Sequence, residues 1–147
     1  MNKSDNLNPT IISVDFIEFS KIDTITTGSD QHHRIVTLKQ NETAENIYMT
    51  PGSAQFNGEH QNSDEGGLKN CSLNLLYPGD GVSVPGILLA IENKRGVIIF
   101  EYADKTKRLM GELDNPVLVN FSFSTQQKAF SINFEHKSVK LPYILQV

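Results

Sequence analysis

Residues 117 to 136 read Val117-Leu-Val-Asn-Phe-Ser-Phe-Ser-Thr-Gln-Gln-Lys-Ala-Phe-Ser-Ile-Asn-Phe-Glu-His136. Val117, Val119, Phe121 and Phe123 alternate with Asn120, Ser122 and Ser124. After the polar Thr125-Gln126-Gln127 loop, Phe130, Ile132, Phe134 and His136 alternate with Ser131, Asn133 and Glu135. A period of two sends successive side chains to opposite faces of a strand, so the stretch predicts a long antiparallel hairpin with an apolar inner face. Its outer face carries serines, asparagines and a glutamate, and meets either water or another subunit.

Upstream, Val97 to Tyr102 is apolar apart from Glu101. Ala103-Asp104-Lys105-Thr106 turns it into a strand from Arg108 to Leu113, and Asp114-Asn115-Pro116 turns the chain again. Asn70 to Tyr77 is another strand, closed by Pro78-Gly79-Asp80-Gly81. One helix is predicted over about 84–93. Ser83 is its N-cap, Pro85 lies in the first turn, Ile87, Leu88 and Ile91 recur at helical spacing, and Lys94, Arg95 and Gly96 supply a basic last turn and a C′ glycine. Leu141 to Val147 adds a last apolar segment.

Nearer the N-terminus, Ile12, Val14 and Phe16 alternate before the phase slips to Ile17 and Phe19, the mark of a bulge or a change of sheet. After the Gly28-Ser29-Asp30 turn, Arg34 to Lys39 and Asn46 to Met49 read as two short strands joined in a meander. Pro51 opens a glycine- and amide-rich segment in which Ala54 and Phe56 pair with the strand after Leu68, leaving residues 57 to 67 as a flexible tip. The expected fold is mainly β, an antiparallel β-sandwich or roll with one short α-helix. A polar arm, residues 1–9, precedes a single β-rich domain, residues 10–147.

A net charge of -4 with scattered basic residues offers no field for a nucleic acid, and Lys105, Lys107 and Arg108 sit beside Asp104 in a hairpin turn. No stretch is apolar and long enough for a membrane span or a secretory leader, so the reading is a chain made in the cytoplasm with neither nucleic acid nor membrane as partner. The single cysteine, Cys71, alternates with Leu73, Leu75 and Tyr77 and reads as a buried hydrophobe, with no histidine near it in sequence to generate a thiolate. His32, His33, His60 and His136 lack metal-ligand spacing. Gly81-Val82-Ser83-Val84-Pro85 misses the nucleophile-elbow pattern at its fifth position, where Pro85 stands for glycine, and Ser83 as a helix cap explains the same residues. Gly79, Gly81 and Gly86 form no phosphate-binding fingerprint, and Asp64 and Glu65 lack the spacing of a calcium loop. No catalytic, cofactor-binding or metal-binding residue is assigned, and no cofactor is expected.

The order of elements, a β segment, a long polar loop, a lone helix and a run of antiparallel strands, resembles small tail, neck and tail-completion subunits of tailed bacteriophages and prophages. Val97-Ile98-Ile99-Phe100-Glu101-Tyr102, a turn, Leu109-Met110-Gly111, then Pro116 and the two alternating strands carry the resemblance. It implies a non-catalytic structural or interaction subunit whose partners are other protein subunits, copies of itself included, within a virion or prophage particle. The resemblance carries over no functional residue; the polar 1–9 arm and the loop between Gln55 and Leu68 are expected as contact elements on their own composition, with Phe56, Asn57, Glu59, His60, Asp64 and Glu65 as candidate assembly residues. One alternative is a stand-alone module binding a sugar, lipid or peptide, which needs aromatic side chains exposed on one sheet face. The absence of tryptophan and the core phase of most phenylalanines count against sugar stacking. A small hydrolase using Ser83 or a histidine is the third reading.

Overall fold

The computed structural model describes residues 10–63, 66–79, 85–126, 128–138 and 142–145, with the backbone alone over 59–63 and 66–69. Among the described residues, eleven strands form two sheets. The larger contains β1 (Ile11–Glu18), β2 (Ile22–Thr27), β3 (His33–Leu38), β4 (Glu45–Asn46), β7 (Gly96–Tyr102), β8 (Lys107–Met110) and β11 (Tyr143–Leu145), in the order β2-β3-β11-β8-β7-β1-β4. The smaller contains β5 (Gln55–Ser63), β6 (Gly66–Pro78), β9 (Leu118–Ser124) and β10 (Ala129–Ser138), in the order β5-β6-β10-β9. The chain is mainly β and sandwich-like, as its alternating pattern predicts.

The main core lies between the sheets. Val14, Phe16, Ile98, Phe100 and Met110 from the larger sheet meet Cys71, Leu73, Leu75, Ile132 and Phe134 from the smaller one. A second cluster joins Ile17, Ile22, Val97, Leu109 and Tyr143 to Ile25, Val36 and Leu38. These residues come from strands at opposite ends of the large sheet, so that sheet curls around them. The curl explains two sequence features. Strand β7 is buried on both faces, Ile98 and Phe100 toward the main core and Val97 and Ile99 toward the second cluster, and a strand covered on both sides reads as a continuous apolar run. The phase slip near Ile17 falls where β1 ends in a single 3-10 turn, Phe19–Lys21, that carries the chain to β2 at the far edge.

Several expectations are corrected. The large sheet is mixed, because β11 runs parallel to β3 and antiparallel to β8, wedged between them. Strands β3 and β4 form no meander, since β3 pairs with β2 while β4 pairs with β1. Ala54 precedes β5, and Phe56 pairs with Leu73 as anticipated, but the pairing continues to Ser63 opposite Gly66, so Asn57 to Ser63 is strand rather than loop tip. The helix, α1, spans only Gly86–Ile91, with Pro85 at the N-cap position making no side-chain cap. Asn93 takes a left-handed φ of 62°, ending the helix early, and Gly96 opens β7 instead of capping α1. A Cβ at Gly96 would lie 2.7 Å from the Phe16 ring and against the Ile17 carbonyl, so close passage of β1 over β7 requires a bare backbone there. The arm, residues 1–9, and Ser83 lie outside the described residues.

Candidate interaction surface

The middle of the small sheet's outer face carries mostly neutral polar side chains, with Lys137 and Glu59 at the level of Asn70 toward one end. Register places Gln55, Asn74, Asn133 and Asn120 side by side on β5, β6, β10 and β9, a row of amides that crosses the sheet. Asn133 Nδ2 donates to Asn74 Oδ1 within it. One step along, Asn57, Ser72, Glu135 and Leu118 share a level, and Leu76, Ser131 and Ser122 share the level on the other side of the amide row. Of these side chains only Glu135 carries a charge. Leu118, 61% exposed, stands at the β9 margin. The inner residues of the same strand are anchored: Phe121 and Phe123 meet the Phe130 ring edge-on at 6.2 and 5.1 Å.

The candidate residues named from sequence distribute unevenly. Phe56 is half-buried and stacked on Phe100, centroids 5.3 Å apart at 23°, so it is as much a core residue as a surface one. Asn57 is exposed on the outer face of β5. Glu59 and His60 occupy β5 positions opposite Asn70 and Lys69, with their side chains outside the description. Asp64 and Glu65 lie outside the described residues. A cleft of about 450 Å³ passes Phe56 and Asn57 on its way between Thr10 and Tyr102, and a smaller one of about 210 Å³ adjoins it between Phe56, Tyr102 and Arg108. Burial pushes the Tyr102 hydroxyl above its ordinary pKa, against the opposing pull of Arg108.

At one end of the molecule His136 is buried among polar neighbours. Its ring bonds to the Asn115 main chain, and Nε2 has no hydrogen-bond partner among the described residues. Burial lowers its pKa, with the Glu112 carboxylate and the Asn115 bond pulling the other way. The Tyr143 hydroxyl donates to Glu112 Oε1 at 3.0 Å, and the Arg34 guanidinium lies 3.9 Å from the centre of the Tyr143 ring. Asn115 Nδ2 donates to the Lys137 carbonyl at 2.7 Å, tying the β8–β9 connection to β10. Among the described residues no group of three His, Cys, Asp or Glu side chains is placed to hold a metal, and no helix is long and apolar enough to cross a membrane.

Comparison with family models, with curated proteins and with solved structures finds no match to this chain.

Proposed function

We propose that this protein is a non-catalytic assembly subunit that docks onto other protein subunits through the outer face of its small sheet. The amide row Gln55, Asn74, Asn133 and Asn120 carries this reading. A sheet face made for water is usually dressed with lysine and glutamate, which keep proteins apart. Charge is what interface centres shed, because removing an ion from water costs more than removing an amide. Asparagine and serine both donate and accept, so the face meets a polar partner without a charge to desolvate. The order of elements, similar to that of small tail-associated subunits of tailed phages, supports a particle as the destination.

The test is co-expression with the products of neighbouring reading frames, reading complex mass by light scattering. A complex of fixed stoichiometry that disappears with Asn74→Lys and Asn133→Lys, while the variant keeps its circular dichroism, is the expected result. Failure to bind any of those products, or a complex indifferent to both lysines, overturns the reading.

The cleft at Phe56, Tyr102 and Arg108 favours a second reading, a module that binds a small ligand between aromatic walls. Saturable binding of a sugar, fatty acid or short peptide, lost on Tyr102→Ala, would distinguish it.

A further inference from the structure

The two sheets leave four outer strands, β2 and β4 on the large sheet and β5 and β9 on the small one. Free strand edges invite pairing with other chains, and proteins usually blunt them. Three of these edges are blunted. Strand β2 carries Asp23 and a register irregularity between Ile22 and Thr24, β4 is two residues long, and β5 contains Gly58 followed by Glu59. Strand β9 has no such device. From Leu118 to Ser124 it contains no charge, proline or glycine, and its register with β10 runs unbroken.

Just before the strand, Val117 donates to the Gly96 carbonyl, so the unpaired edge begins at Leu118. A groove of about 430 Å³ lies between Asn93–Arg95 on one side and Pro116 to Asn120 on the other.

We infer that β9 is a self-pairing edge, which joins antiparallel to β9 of a second copy and makes one continuous eight-stranded sheet across a two-fold axis. The inference rests on the assembly reading above and narrows one partner to the chain itself. Its basis is self-complementarity. A two-fold axis at the middle residue, Phe121, uses all seven residues of the strand. Val119 then stands opposite Phe123 of the second copy, Phe121 opposite its counterpart, and Asn120 opposite Ser122 of the second copy. Apolar meets apolar on the inner side and polar meets polar on the outer side. Val119, Phe121 and Phe123 are only half-buried in one copy, so the pairing covers what remains exposed of them. A shift by one residue would set Phe121 against Ser122 and mismatch both faces. No like charges meet along the seam: the Lys94 and Arg95 side of the groove receives the neutral Ser124-Thr125-Gln126 end of the second copy.

The solution mass of the full chain over a wide dilution series tests this, alongside the double variant Asn120→Lys, Ser122→Lys. Both positions are exposed on the outer face, so the lysines leave the single-copy fold alone but oppose each other across the seam. The expected result is a wild-type species of twice the 16.4 kDa chain mass and a double-lysine variant at the single mass. Mixing that variant with Asn120→Glu, Ser122→Glu restores a mixed dimer, seen by native mass spectrometry. A wild-type chain that stays single throughout, or a dimer that ignores the lysines, overturns the self-pairing. Asn120 also belongs to the amide row, so the self-pairing is read from the mass of the chain alone, with no other subunit present, and the assembly reading separately from the Asn74 and Asn133 variants.

Discussion

His136 on β10 stands directly opposite Cys71 on β6, both side chains turned into the space between the sheets. The histidine is 5% exposed and the cysteine fully covered, so this cross-strand pair sets a titrating ring at the polar end of the core, beside Glu112 and Asn115. Its consequences are for stability, since a proton on that ring has to be carried where water does not reach.

Acid should therefore unfold this protein earlier than its carboxylates alone require. Burial holds the His136 pKa below its ordinary 6.5, while the unfolded chain regains that value. The unfolded state binds the extra proton, so the contribution is fully present above pH 6.5 and is lost as pH falls from there through the folded-state value. Its limiting slope is about 1.4 kcal/mol per pH unit for one proton. Urea midpoints measured between neutral pH and mild acid should fall for the wild type and fall less for His136→Leu. Equal slopes for the two proteins would mean that the ring does not govern this window.

The cysteine should be silent in the folded protein. Cys71 is fully buried, and reagents need access to the thiol. Cys71 should resist an aromatic disulfide reagent at neutral pH and react at once in denaturant. Rapid labelling of the native chain would contradict the burial of β6.

Gly96→Ala should destabilise the fold by about 1–3 kcal/mol, the range for overpacking a filled interior. The added methyl group meets the Phe16 ring and the Ile17 carbonyl, and neither can retreat without opening β1 from β7. Denaturant unfolding reads this directly; a loss within error of zero would show that the two strands have slack.

Phe100→Ala should cost about 3–5 kcal/mol, as expected for a fully buried phenylalanine. Phe56→Ala should cost less because the ring is only half-buried. The rings are stacked, so the double variant should lose less than the sum, with a coupling of about 0.5–1.5 kcal/mol. Strict additivity in a double-mutant cycle would leave the stacking without energetic weight.

Local periodicity made the inner faces of β6, β9 and β10 legible, because each is half-buried and alternates cleanly. The double burial of β7 was legible as an apolar run but not its cause, which lies in the curl of the large sheet. The meander error at β3 and β4 has a simple origin: sequence shows strands, whereas pairing partners are chosen by distant segments such as β1 and β11. The β5–β6 hairpin was underestimated because Asn57 to Ser63 is polar and holds a glycine, and its backbone pairing leaves little trace in side-chain character. The amide row and the Cys71–His136 pair had the same obstacle. Their members are scattered over the chain from Gln55 to His136, and only register brings them to one level.

The placement of β11 bears on how the molecule is made. Among the described residues, the strand pairing that ties β2 and β3 to the rest of the large sheet runs through Tyr143–Leu145, which slot between β3 and β8. Ribosomal synthesis runs from the N-terminus, so the early β2–β3 hairpin must wait, unattached along its inner edge, until the segment around residue 145 emerges. Closure of that sheet is consequently a late event in biogenesis, and cutting the chain short of Tyr143 removes the keystone from an otherwise intact arch.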